Sequence, residues 1–273
     1  MKNRVLLSGV LAALVCFRLM ADNSQLAAHR ADHARYPQNT VEGIRSAVRQ
    51  GVGMVEIDVR VCKTGELLVI CEPDLALTTD GTGMVTDVTF DYVRSLSVCE
   101  RSKYGEAFVG KFRIPTLEEA LDAIPVGGPY VNLHCGENVC AGAARLVKKK
   151  GLLAQAFVSA LDPGIAAARK AVPEIMACNM HRPAKPSLKW THEDHMRYVR
   201  STIELKCQFM QPIGVENVPP ADVVKFAHEH GIRVSYFKCD DPRRRAEIFA
   251  ETDVDFIGSS CMTVGVRSLH NLI

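Results

Sequence analysis

From residue 26 to the end of the chain, short apolar runs alternate with amphipathic, helix-like segments, and nothing else in the sequence constrains the fold as strongly. The runs fall at residues 26–29, 54–59, 67–70, 130–134, 156–159, 175–178, 209–212, 233–237 and 255–257. Residues 40–50 carry Val41, Ile44, Ala47 and Val48 on one face and stop at Gly51, the spacing of a helix packed on a core. Thr116 and Glu119 spell a T-x-x-E capping box before Ala120, Leu121 and Ile124. Residues 220–230 read as a further helix closed by Gly231. Strands alternating with helices imply βαβ units and a parallel sheet. The pattern predicts an α/β protein of the (β/α)8, or TIM-barrel, type. There is one run too many for eight strands. The runs at 54–59 and 67–70 are joined by the turn-like Lys63-Thr64-Gly65-Glu66, so they must be antiparallel neighbours, with one of them partly outside the barrel. An open doubly wound sheet lacks support, because no G-x-G-x-x-G follows a strand.

A length of 273 residues allows one large core, and 47% hydrophobic with 23% charged residues is ordinary globular composition. A net charge of +2 provides no strongly basic face, so nucleic acid is not an expected partner. The first residues read as an export signal. Lys2 and Arg4 precede an apolar stretch at 5–17, broken only by Ser8 and Gly9, and Ala21 marks a cleavage point. Leu19 stands where a small residue is usual, and Cys16 has the bulky Val15 before it, which argues against a lipoprotein. The expectation is a signal peptide over 1–21 and a single domain over 22–273, exported to the periplasm or secreted. The rival reading is an uncleaved membrane anchor. No other stretch is long and apolar enough to span a bilayer, so no stable span is expected once the signal is removed. The ten cysteines show no zinc spacing, since Cys135 and Cys140 have no second pair to match. Most read as small buried residues.

In a barrel, chemistry sits at the C-terminal ends of the strands. The first run ends in His29-Arg30, and the second carries Glu56-Ile57-Asp58. Residues two apart on a strand share a face, which puts both carboxylates in the barrel interior. Two carboxylates side by side need a cation or a shared proton, and a bound metal is the simplest resolution. The remaining histidines read as surface or satisfied groups. His33 is set apart because it lies in the loop after the first strand, and such loops line barrel mouths.

The series His29-Arg30, Pro37-Gln38-Asn39-Thr40 and Glu56-Ile57-Asp58 resembles the H-R, P-E-N-T and E-x-D motifs of the glycerophosphodiester phosphodiesterase family. Val69-Ile70-Cys71-Glu72, then Leu75, Thr78-Thr79 and Asp80-Gly81-Thr82-Gly83, resembles its V-I-H-D…L…T-T-x-G-T-G. Ile114-Pro115-Thr116-Leu117-Glu118-Glu119 is similar to its I-P-T-L-E-E helix start, and residues 130–136 stand where the family has a strand ending E-x-K. Val158-Ser159 resembles the start of its V-S-S-F-D-P segment. The ordered series covers residues 26–260. It implies a phospholipase-C-like barrel that splits a glycerophosphodiester, a small molecule, into glycerol 3-phosphate and an alcohol. It also implies one divalent metal and two histidines acting as general acid and base.

Carried over position by position, the resemblance gives His29 one acid/base role, Arg30 the phosphate contact, and Glu56 and Asp58 the metal. The second catalytic histidine is replaced by Cys71 and the aspartate after it by Glu72. The third ligand, a glutamate in the family, is His134, and the lysine of E-x-K is Gly136. Lys238, just after a strand end, is placed to replace that lysine on phosphate. The family's closing T-D-x-P is absent, with Gly258-Ser259-Ser260 in its place. The resemblance suggests calcium or magnesium, whereas the imidazole of His134 favours manganese or zinc. Ile203-Glu204-Leu205-Lys206 spells E-x-K literally but follows a helix-like segment and reads as a decoy. Two functions follow from these substitutions: an active phosphodiesterase with altered groups, or an impaired relative that binds a phosphoryl ligand or serves as an interaction module. A lyase making a cyclic phosphate is a further variant. Oligomeric state is not legible.

Overall fold

The computed structural model describes residues 23–185 and 187–261; the expected signal segment at 1–21 lies outside the described residues. The strands are β1 (Leu26–Ala28), β2 (Met54–Val61), β3 (Leu67–Val69), β4 (Tyr130–Cys135), β5 (Ala156–Ala160), β6 (Met176–Asn179), β7 (Phe209–Met210), β8 (Arg233–Phe237) and β9 (Phe256–Ser259). Eight of them close a parallel barrel in the order β1-β2-β4-β5-β6-β7-β8-β9, and the seam is the pairing of β1 with β9. β3 pairs antiparallel with β2 only, with Val59 opposite Val69. The surplus strand expected from the sequence is therefore this hairpin arm, and the barrel fold is borne out.

The helices are α1 (Val41–Arg49), α2 (Phe90–Ser95), α3 (Arg101–Tyr104), α4 (Leu117–Asp122), α5 (Glu137–Lys149), α6 (Asp162–Ala171), α7 (His192–Glu204), α8 (Ala221–Glu229) and α9 (Pro242–Thr252). Thr40 caps α1 by accepting from the Gly43 amide. Thr116 and Glu119 form the expected reciprocal capping box on α4, which satisfies two amides that the helix itself leaves unbonded. The E-L-K decoy falls at the end of α7, where Lys206 is exposed and left-handed at φ 54. Among the described residues no helix is long and apolar enough to cross a membrane.

Apolar residues on the outer strand faces, such as Ile57, Leu133 and Val158, pack against Ile44, Val139 and Ile165 of the helices. Inside the barrel, Met54, Phe157, Phe209 and Phe256 form an apolar plug with Tyr130 against it. Phe157 and Phe209 stack at 4.0 Å, and the Arg233 guanidinium lies 5.2 Å from the Tyr130 ring. The plug fills the N-terminal part of the barrel, so inward-facing positions further along each strand open at the C-terminal mouth. Among the described residues, Cys62, Cys99, Cys135, Cys140, Cys178 and Cys207 are buried free thiols.

Candidate active site

Strand register assembles the site. In the parallel pairing of β2 with β4, Glu56 sits opposite Asn132 and Asp58 opposite His134. Glu56 and Asp58 follow Met54 on the inward face, and both are buried. His134 is half-exposed at the mouth, with Nδ1 3.1 Å from Asp58 Oδ1. Glu56, Asp58 and His134 each offer a ligand atom, and those atoms lie within 4.8 Å of one another. At the seam, Ala28 pairs with Ser259, so the next residues also meet: His29 Nδ1 is 3.0 Å from Ser260 Oγ.

After β1 the chain turns through two left-handed residues, Arg30 at φ 57 and Ala31 at φ 67. This conformation costs non-glycine residues roughly 1–2 kcal/mol each. The turn aims the Arg30 amide at Glu56 Oε2, 2.8 Å away. The guanidinium then reaches Gln38 Oε1 at 2.6 Å, Glu72 at 3.4 Å and Asp58 at 3.6 Å. Asn39, also left-handed at φ 60, grips Asp58 twice. Its Nδ2 donates to Asp58 Oδ2 at 3.0 Å, and its Oδ1 accepts the Asp58 amide at 3.2 Å.

The electrostatics follow from this crowding. Burial and the neighbouring Asp58 charge push the Glu56 carboxyl well above the usual range, against the pull of the Arg30 amide. Burial would raise Asp58 too, but hydrogen bonds from His134 and Asn39 with the Arg30 charge hold it down at about 2. The two carboxyls are thus pushed apart, Glu56 toward the protonated form and Asp58 toward the charged one, as adjacent carboxylates are. Burial, then the charges of Arg30 and Lys238, lowers His29 to about 3 and keeps the imidazole neutral. Burial and Asp58 push the Cys71 thiol far up, so it stays protonated.

Six of the residues singled out from the sequence line one cavity of about 190 Å³: His29, Arg30, Glu56, Asp58, Cys71 and His134. Lys238 stands behind His29. Its Nζ donates to Ser260 Oγ at 2.9 Å and pairs with Asp240 at 3.0 Å. His33 is held at 3.0 Å by the buried Glu100, which also accepts from the Gln38 amide. Met180, Arg182, Gln211, Ile213 and Phe237 complete the cavity wall and were not anticipated. Neither was the serine on His29. Asn39 lay in a motif that was read, but nothing there revealed its hold on Asp58. Arg182 follows β6 in a run with no motif at all.

The sequence model of the glycerophosphoryl diester phosphodiesterase family matches residues 29–259. A glycerophosphodiester phosphodiesterase of Caldanaerobacter subterraneus subsp. tengcongensis is 38% identical over 107 residues, which are 39% of this chain and 43% of that protein. Glycerophosphodiester phosphodiesterase 1 of Mus musculus is 34% identical over 100 residues, 37% of this chain and 30% of that protein. The matched segment thus spans less than half the length of these curated relatives. Among solved structures, the glycerophosphodiester phosphodiesterase of Agrobacterium tumefaciens superposes with a TM-score of 0.72 at 21% identity, covering 88% of this chain and 98% of that one. A phosphodiesterase of Oleispira antarctica, in complex with the product sn-glycerol-3-phosphate, gives 0.70 at 22% identity, covering 88% and 94%. At such identities the likeness speaks for the fold. The sequence match itself runs from His29, the residue after β1, to Ser259 at the end of β9, the closed barrel apart from its first strand, and by that span the chain belongs to the glycerophosphoryl diester phosphodiesterase family.

Proposed function

We propose that the protein is a metal-assisted phosphodiesterase that hydrolyses glycerophosphodiesters to glycerol 3-phosphate and an alcohol. The observation that carries this reading is the convergence of Glu56, Asp58 and His134 within 4.8 Å, in the cavity that also holds His29 and Arg30. Two buried carboxyls side by side, each disfavouring the other's charge, are a fitting donor set for a cation. The half-exposed imidazole supplies a third donor of the kind that favours zinc or manganese over calcium or magnesium. Glu56, Asp58 and His134 would hold a divalent cation, which would supply Lewis-acid neutralisation of the phosphoryl charge.

The chain's own groups do the rest. His29 Nδ1 is hydrogen-bonded to Ser260 Oγ, which also accepts from Lys238; with the imidazole proton on Nδ1, His29 Nε2 keeps its lone pair. Neutral near physiological pH, Nε2 takes the proton of the attacking water. Arg30 holds the phosphoryl oxygens, and Gln38 and Glu72 fix its orientation. Cys71 occupies the place of the second proton-transfer group; it is protonated but a weak donor, so departure of a poor leaving group is slow. The decisive assay is product analysis on glycerophosphodiesters with calcium, magnesium, manganese or zinc added. Release of glycerol 3-phosphate is expected, with a loss of about 10²–10⁴-fold in His29→Ala. A cyclic phosphate product would place the protein among lyases. No turnover with any metal would leave the impaired, ligand-binding reading.

A further inference from the structure

A second cavity, of about 450 Å³, opens beside the first. It shares Asp58 and His134 with the catalytic cavity and adds Arg60, Gly136 and Leu161, while Arg182 lines both. Arg60 stands near the end of β2, and its Nε donates to the Cys71 carbonyl at 2.6 Å. Arg182 donates from Nε to the Gln211 carbonyl at 3.3 Å and lays Nη2 against Met180 Sδ at 3.5 Å. Each side chain is half-buried and anchored through Nε to a backbone carbonyl. Among the described residues neither pairs with a carboxylate, whereas Arg30 close by faces both Asp58 and Glu72.

Guanidinium stays charged at any accessible pH, so two positive groups line one cavity. Anchoring through Nε spends one donor of each fork and leaves the others for a planar or tetrahedral anion. Gly136 contributes no side chain, so that wall stays open. The inner cavity of about 190 Å³ is the smaller, and it holds the residues proposed for phosphoryl transfer. The larger cavity shares Asp58, Cys71 and His134 with the inner one but is not lined by His29, so it offers room for the half of a diester beyond a phosphoryl group held in the inner cavity. In this reaction class the glycerol phosphate half is constant and the alcohol varies.

We propose that Arg60 and Arg182 form a subsite for an anionic group, a carboxylate or a phosphate monoester, carried by the alcohol half of the diester. The assignment rests on the phosphodiesterase reading for the identity of the substrate, but its test does not need turnover. Chelator-treated full-length protein is titrated calorimetrically with four diesters of glycerol 3-phosphate. Their alcohols are choline, glycerol, glycerol phosphate and glycolate, so the charge on the alcohol runs from positive through neutral to a phosphate and a carboxylate. The two anionic diesters bind at least about tenfold more tightly than the choline diester, as expected of charge-assisted hydrogen bonds. Arg182→Gln and Arg60→Gln each reduce that preference about tenfold, and Arg182→Lys, which keeps the charge, retains part of it. Thermal melts of each variant check folding, and Arg182→Gln is decisive if loss of the Arg60 anchor unsettles β2. The stronger of the two anionic ligands identifies the group. Equal or tighter binding of the choline diester, a preference that survives both substitutions, or no binding of any diester overturns the proposal. With metal restored, kcat/KM follows the same order. If no diester is cleaved while the preference and its loss in Arg182→Gln persist, the hydrolase reading fails and the subsite stands.

Discussion

Position 71 is where this chain departs furthest from the chemistry its scaffold implies. A half-buried thiol faces Asp58 and Arg30, and its proton is held too firmly to be passed easily. Cys71→His is therefore expected to raise turnover on a natural glycerophosphodiester by about 10²-fold, the usual worth of a placed acid. Rates on an activated aryl diester, whose leaving group needs no proton, should change little. Equal rates of wild type, Cys71→His and Cys71→Ser on both substrates would remove position 71 from the chemistry. Asn39 yields a second expectation. Its amide orients Asp58 and stabilises the carboxylate, so Asn39→Ala should weaken metal binding about 10–100-fold, read by titration with manganese. An unchanged dissociation constant would make Asn39 merely a turn residue. The H-R and E-x-D pairs were legible because a strand's two-residue period fixes where they point. Ser260, Asn39 and Arg182 were not, because their partners lie far away in the sequence: His29 is 231 positions from Ser260, and Arg182 is 29 from Gln211.

At the scale of elements, hydrophobic periodicity located every strand to within a residue or two. β7 shrank most, to Phe209–Met210, because Pro212 has no amide to add to the ladder, although its carbonyl still accepts from Phe237. Elements without such a period, α2 and α3 among them, went unread. They belong to the excursion between β3 and β4, which builds its own small core from Leu75, Val93 and Val98 against Leu68. Gly53, the residue before β2, shows how closely elements approach. A Cβ there would stand 1.6 Å from the Ser24 carbonyl oxygen and 2.9 Å from the Phe256 ring. Backbone on one side and the barrel plug on the other leave no room to yield. Gly53→Ala should cost about 3 kcal/mol or more of unfolding free energy, measured by urea titration. A midpoint equal to wild type would mean that the entry to β2 is slack.

For the whole molecule, the sharpest expectation concerns acid. His195, in the first turn of α7, is 3% exposed beside Trp190, and burial lowers its pKa to about 4. A histidine whose folded pKa is depressed binds fewer protons in the native state than in the unfolded chain between about pH 4 and the model-peptide value of about 6.5. Its contribution is complete above about 6.5 and is lost as pH falls through that window, about 2 kcal/mol by pH 5. His29 acts in the same sense. Unfolding free energy measured at pH 5 and pH 7 should differ by less in His195→Leu than in wild type, and an identical difference would show that this histidine is not responsible. The seam between β1 and β9 carries a further consequence. Both strands lie at opposite ends of the described chain, and His29 meets its serine only across that junction. A nascent polypeptide cannot bring His29 against Ser260 until β9 has left the ribosome, so a copy cut short before β9 lacks that contact.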